Sequence, residues 1–194
     1  MREGTAGVQG RMRAASTVAV CPLPCQRCRI VSIPSHLHLA RLARRVAQRF
    51  IAAGEFVTTA ESCTGGYIAK VLTDIAGSSE WFESGVVCYS NAAKGRQLGV
   101  SQELLARHGA VSAAVARAMA LGALKRTGAE RAMAVTGIAG PAGAVPGKPV
   151  GTVWFGFASA GAARVRVVQR RFRGGRDAVR RQAVAFALRQ LARP

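Results

Sequence analysis

The chain has 194 residues, 49% of them hydrophobic, and a formal net charge of +19 at pH 7. That length suits one domain with a core of its own plus a short tail, and no apolar run reaches the roughly 18–20 residues a membrane-spanning helix needs. The charge invites a nucleic-acid reading, but its excess lies at the two ends of the chain and 24 of the 28 basic residues are Arg, a bias that coding composition also produces.

Residues 1–34 form the first unit. They carry Gly, Pro, Arg and Ser without a sustained period, and Pro22, Pro24 and Pro34 interrupt any helix. The basic start, Met1 to Arg13, is followed only by Val18-Ala19-Val20 before Cys21-Pro22. That is too short for a signal peptide, so a cytoplasmic protein is expected. Three of the five cysteines, Cys21, Cys25 and Cys28, crowd into this stretch. They offer three soft ligands for zinc or an iron–sulfur cluster. No fourth cysteine is near, and His36 and His38 are distant candidates. The segment is read as a leader outside the fold, and no metal is expected. Residues 35–194 are read as one domain.

Leu39, Leu42, Val46, Phe50 and Ala53 line one face of a helix over 35–53, with Ser35 to cap it and Gly54 to end it. A strand over 56–60 follows, then the turn Thr58 to Gly66, then a helix with Ile68, Val71, Leu72 and Ile75 on one face. Ser78 to Glu83 reads as a short turn. Gly85 to Tyr89 reads as a buried strand, and Ser90-Asn91 opens a helix to Leu98. Ser101 caps a short helix to Arg107. Ser112 begins a long one to Thr127, with Val115, Met119, Leu121 and Leu124 among its apolar positions. A third strand spans 131–136 and leads into a long Gly/Pro loop. Strands over 150–159 and 163–172 form a hairpin, and a helix covers 177–191. Helices alternating with strands imply a three-layer α/β/α sandwich. The terminal hairpin makes its sheet mixed, though mostly parallel.

Familiar phosphate motifs are absent. Gly147-Lys148 lacks the earlier Gly of a P-loop and is followed by Pro149, and no G-x-G-x-x-G follows a strand. His108 stands alone, so a Ser-His-Asp triad has little behind it. What remains is Ser62 at a strand-to-helix turn, with Tyr89 and Lys94 at the next such junction. If Asn91 caps the second helix, Lys94 falls in its first turn. There the dipole and partial burial favour the neutral amine that a general base requires. Tyr89 could relay a proton or orient Lys94, and N–H groups near Thr64 to Gly66 could hold an oxyanion. Cys63 is a rival nucleophile, since thiolates are stabilised at helix N-termini. Glu61 could pair with a basic group or fix the turn. Each residue also has a plain reading: Ser62 as a cap, Tyr89 as core, Lys94 as solvated surface.

Six motifs resemble those of the CinA C-terminal domain family, the nicotinamide-nucleotide amidohydrolases, over about residues 38–192. They are the stretch Thr59 to Gly66, Asp74 to Ser79, Tyr89 to Lys94, Thr136 to Pro141, Lys148 to Val153, and Gly175 to Arg180. The resemblance implies hydrolysis of the carboxamide of nicotinamide mononucleotide (NMN) to nicotinate mononucleotide and ammonia. It implies Ser62 as nucleophile, Tyr89 and Lys94 as its catalytic partners, a homodimer, and no required metal or cofactor. Glu61, Cys63, Thr64, Gly65 and Gly66 are expected around the substrate. So are Thr136, Gly137, Ile138, Ala139 and Gly140 of the loop, and Arg176 near the phosphate. The loop Ala142 to Gly147 lacks the acidic residue common in that segment. The N-terminal pyrophosphatase domain of larger CinA proteins is not expected in so short a leader. Two other functions stand beside this one: a competence-associated or nucleic-acid-binding module, and an amidase for a related small amide.

Overall fold

The computed structural model describes residues 33–193. The leader up to residue 32, with its three cysteines, lies outside the described residues. Helix α1 spans His36–Ala53. Ser35 caps it by accepting the His38 N–H at 3.2 Å, and Gly54 ends it with φ +62°. Strand β1, Val57–Glu61, follows, and every one of its residues is buried.

The sheet runs β2-β1-β3-β4-β5. The outer members are β2 (Phe82–Val87) and β5 (Arg166–Arg171); β3 (Arg131–Gly137) and β4 (Thr152–Ser159) lie between β1 and β5. β1 pairs in parallel with β2 and β3, while β4 is antiparallel to both its neighbours. Four strands therefore point one way and β4 alone opposes them. Parallel neighbours need crossovers. Helix α2 (Tyr67–Thr73) carries the chain from β1 to β2. Helices α3 (Asn91–Leu98), α4 (Gln102–His108) and α5 (Ala113–Thr127) carry it back past β1 to β3.

The two crossovers step across the sheet in opposite directions. A constant hand therefore puts them on opposite faces. α1, α2 and the last helix α6 (Arg176–Leu191) bury Leu39, Phe50, Ile68, Leu72 and Leu188 on one face. α5 covers the other with Val115, Met119, Ala120 and Ala123. This second layer sits close. The Ala116 carbonyl lies where a Cβ on Gly156 of β4 would be, so only glycine fits there. The three-layer α/β/α reading and its mixed sheet are what the structure has.

Local readings differ in several places: α2 ends at Thr73, short of Ile75, and β5 begins at Arg166 rather than at 163. β2 begins three residues before Gly85 and stops at Val87, and its residues alternate between half-buried and exposed. It is an edge strand, so the apolar Gly-Val-Val run is not enclosed, and Tyr89 falls outside it at 61% exposure. Ser90, not Asn91, caps α3, accepting the Ala93 N–H at 3.1 Å. Leu121 faces outward, because the contact face of α5 is built from smaller side chains that allow close approach. No described helix is long and apolar enough to cross a membrane.

Candidate active site

β1 and β2 end side by side, and the chain leaves them toward opposite faces. Ligands of open α/β sheets bind in the crevice such a reversal opens at the carboxyl ends of the strands. Ser62 is the first residue after β1, and its N–H is held by the Val135 carbonyl at 3.0 Å. Lys94 sits one turn into α3, its own N–H bonded to the Ser90 carbonyl at 3.1 Å. The two side chains meet: Lys94 Nζ lies 3.1 Å from Ser62 Oγ. The cleft around them encloses about 200 Å³ and is lined also by Tyr89, Thr136, Gly137 and Arg176.

The surroundings of Lys94 favour a neutral amine. Its side chain is 1% exposed. Nζ donates to the Cys88 carbonyl at 3.1 Å and the Tyr89 carbonyl at 3.2 Å. An uncharged amine has two N–H donors and one lone pair. The two carbonyls take the donors, and the lone pair is left for the Ser62 hydroxyl proton. Burial lowers the lysine pKa, opposed only by the Cys88 and Cys63 thiols. Those thiols are protonated at neutral pH. Burial pushes Cys63 up to about 12 and raises Cys88 as well. Among the described residues no carboxylate bonds to the amine.

The same burial disposes of Cys63 as a nucleophile. A helix N-terminus stabilises a thiolate, but Cys63 is 7% exposed and desolvation outweighs that effect. Its place is in the wall of the cleft.

Glu61 is fully buried and does not face the cleft as an open ligand group. Its carboxylate accepts the Ile68 N–H at 3.1 Å and the Ala69 N–H at 2.8 Å, closing the N-terminus of α2. Gly66, at φ +85°, is the N-cap and supplies no side chain, so the strand-end carboxylate does the capping instead. The Gly65 N–H is spent on the Ser62 carbonyl at 3.1 Å. The Thr64 and Gly66 N–H groups bond to no described residue, but Thr64, Gly65 and Gly66 do not line the cleft.

The Tyr89 ring does not touch Lys94 by its hydroxyl. Contact runs through the Tyr89 backbone carbonyl, while the phenol oxygen accepts a hydrogen bond from Arg176 at 2.8 Å. Arg176 also donates to the Gly140 carbonyl at 2.9 Å. It thus ties the α3 side of the cleft to the 136–140 loop. Thr136 is buried and donates to the Ala110 carbonyl at 2.9 Å. Gly137 lies so close to β4 that a Cβ would come within 2.8 Å of the Thr152 carbonyl oxygen. Ile138 and Ala139 are buried, and Ala139 reaches the cleft wall.

Four site residues lie beyond those expected from sequence; two of them, Ala110 and Val111, line the cleft just before α5. Asn91 lines the cleft at the start of α3. Arg180 donates to the Thr64 carbonyl at 2.7 Å, fixing the turn after Ser62 from α6. The signal for Arg180 was its spacing: it follows Arg176 by four residues and shares its helix face.

Fold and cleft together define an α/β protein with a buried serine–lysine pair at the carboxyl ends of two parallel strands. A family model described as the CinA C-terminal domain matches residues 39–194, and the chain belongs to that family. It is 57% identical over 155 residues to the Escherichia coli K12 protein named nicotinamide-nucleotide amidohydrolase PncC, covering 79% of this chain and 92% of that one. A Pseudomonas putida protein of the same name is 51% identical over 150 residues, covering 77% and 92%. The crystal structure of a competence/damage-inducible protein from Agrobacterium tumefaciens matches with a TM-score of 0.77 at 45% identity, covering 82% of this chain and 95% of that one.

Proposed function

We propose that this protein hydrolyses the carboxamide of nicotinamide mononucleotide, giving nicotinate mononucleotide and ammonia, with Ser62 as nucleophile and Lys94 as its base. The names of relatives more than half identical support the substrate. The observation that carries the mechanism is the 3.1 Å approach of a buried, carbonyl-anchored amine to Ser62 Oγ.

Lys94 takes the hydroxyl proton as Ser62 Oγ attacks the amide carbon. The carbonyl oxygen becomes an oxyanion, held by N–H groups of the turn that follows Ser62. The Lys94 ammonium returns the proton to the leaving nitrogen, and ammonia departs from an acyl-serine. A water then gives its proton to Lys94 and attacks the ester, releasing the nicotinate product and restoring Ser62. Arg176 uses two of its five N–H donors on Gly140 and Tyr89. The remaining donors on the cleft rim hold the 5′-phosphate.

A cytoplasmic location and a homodimer belong to the same proposal. The buried free thiols Cys63 and Cys88 suit a reducing compartment. Exposed Val87 and Tyr89 beside the unpaired edge of β2 supply an apolar patch for a second copy. Sedimentation equilibrium reads the dimer directly, and a monomer at micromolar concentration would remove that part.

The test is ammonia release from NMN by the purified chain. Wild type is expected to turn over, and Ser62→Ala to lose at least about 10³-fold in kcat/KM. Cys63→Ala is expected to stay within tenfold of wild type. Full activity in Ser62→Ala, or loss confined to Cys63→Ala, would overturn the assignment of the nucleophile. An inert wild type would overturn the substrate.

A further inference from the structure

A second cleft, of about 390 Å³, opens at the other end of the sheet. Five arginines line it: Arg49, Arg131, Arg164, Arg166 and Arg193. Arg131 begins β3 and Thr136 of the first cleft lies five residues along it, a separation of roughly 17 Å in an extended strand. The two clefts are therefore distinct.

The charges in this cleft are not balanced. Among the described residues Glu55 is the one carboxylate bonded to any of the five, at 3.2 Å from Arg49 and 2.9 Å from Arg131. Glu130, next to Arg131 in the chain, is turned away onto the Phe56 N–H at 2.7 Å. Arg166 and Arg193 converge on a single neutral acceptor, Gln190 Oε1, at 2.9 and 3.3 Å. Burial, with the nearby Arg193 charge, lowers the pKa of Arg166, so the pair is held together against its own repulsion. Arg164, in the β4–β5 turn, is exposed and bonds to no described residue. Two rings help to stiffen the walls. Arg49 lies 4.2 Å from the Phe50 centroid and Arg166 4.5 Å from that of Phe157.

Guanidiniums converging on a partly buried cleft, four charges in excess of their carboxylate, are arranged for a multiply charged anion. Their planar forks match phosphoryl oxygens. A single phosphate carries about −1.5 to −2 at pH 7, so two adjoining phosphoryl groups match the excess where one does not. We infer that this cleft is a binding site for a small molecule bearing adjacent phosphates, separate from the serine–lysine cleft. The inference does not depend on the amide-hydrolase reading.

The test is calorimetric titration of the full chain with inorganic pyrophosphate at low salt, with orthophosphate as comparison. Pyrophosphate is expected to bind saturably and at least tenfold tighter than orthophosphate. Arg166→Gln combined with Arg193→Gln is expected to weaken it by tenfold or more, since each charge-assisted contact is worth about that factor. Arg164→Gln removes a charge from a side chain that bonds to no described residue. It is expected to weaken binding several-fold without lowering the melting temperature and with NMN turnover unchanged, which keeps the test clear of misfolding. Arg176→Gln is expected to leave pyrophosphate affinity as it was. The inference is overturned if the affinity follows Arg176 instead, if the Arg164, Arg166 and Arg193 variants bind as wild type, or if orthophosphate binds equally well. It is also overturned if a single-stranded oligonucleotide occupies these arginines and pyrophosphate does not displace it.

Discussion

In the proposed mechanism Lys94 decides whether Ser62 is reactive. An exposed lysine, with a pKa near 10.4, is almost wholly charged at neutral pH and cannot accept a proton. Here burial lowers the pKa, and the neighbouring groups offer carbonyl oxygens and neutral thiols in place of a counter-charge. The sign for catalysis follows. The base form is the deprotonated one, so kcat/KM is expected to rise with pH along a limb whose midpoint lies below 10.4 and belongs to Lys94. Lys94→Arg keeps a cation but never yields a free base, because the guanidinium stays protonated. It is expected to lose about 10²–10⁴-fold and to flatten that limb. A pH–rate profile for both proteins checks this. A limb that persists unchanged in the arginine variant would assign the titration to another group. The cost of the arrangement falls on stability. Below its folded pKa the amine must be buried charged, and the folded state then gives up its proton more readily than the unfolded chain does. Stability from this residue therefore rises with pH across the window between the folded pKa and about 10.4.

At the level of elements, the turn between β1 and α2 shows how Ser62, the proposed nucleophile, is presented. The N-terminus of α2 looks from sequence like a pole for an anionic ligand, and it is occupied from within. Glu61 lies at the last position of a fully buried strand, seven and eight residues before the N–H groups it accepts. Its carboxylate closes the helix and fixes the loop that carries Ser62 between them. Glu61→Gln keeps the shape but removes the charge and turns an amide N–H₂ toward a donor. Urea unfolding is expected to show a loss of about 1.5–3 kcal/mol, with kcat lowered because the serine turn loosens. Unchanged stability would mean that the cap is not what holds the turn.

This element also marks the boundary of what sequence can say. The ends of α1 and α5 follow from Ser35, Gly54 and Ser112, because a cap and its helix are neighbours in the chain. Ser62 and Lys94 could be paired because each sits at a strand-to-helix junction of one parallel sheet. The rest of the site depends on distant partners. Arg180 reaches Thr64 across 116 residues, and Arg176 reaches Tyr89 across 87. Whether Gly85–Val87 is enclosed depends on strand order, which places β2 at an edge. No local pattern contains either fact.

For the whole molecule, the two ends of the sheet carry different side chains. The carboxyl ends of β1 and β2 hold the buried serine–lysine pair. The opposite end gathers arginines, and residues 164–194 place ten basic side chains against the single acid Asp177. Among the described residues there are four ion pairs: two share Glu55 and the other two join neighbours one helical turn apart. The net charge of +19 is thus mostly unpaired, and like charges crowd β5 and α6 against α1. Two opposed effects of salt follow from that balance. Screening weakens the few attractive pairs, each worth about 0–1 kcal/mol where exposed. It also relieves a repulsion summed over many more arginines, with a reach that falls to about 10 Å at 0.1 M. The repulsive sum is the larger, so sodium chloride is expected to stabilise the fold. The melting temperature should climb by several degrees between 20 and 300 mM and then level as the screening length drops below the arginine spacing. A melting temperature that falls with salt would mean that the Glu55 and Asp177 pairs outweigh the repulsion. The same series run with Arg164→Gln separates local from global charge: if the crowding is centred on the arginine cleft, that variant starts higher at 20 mM and gains less from added salt.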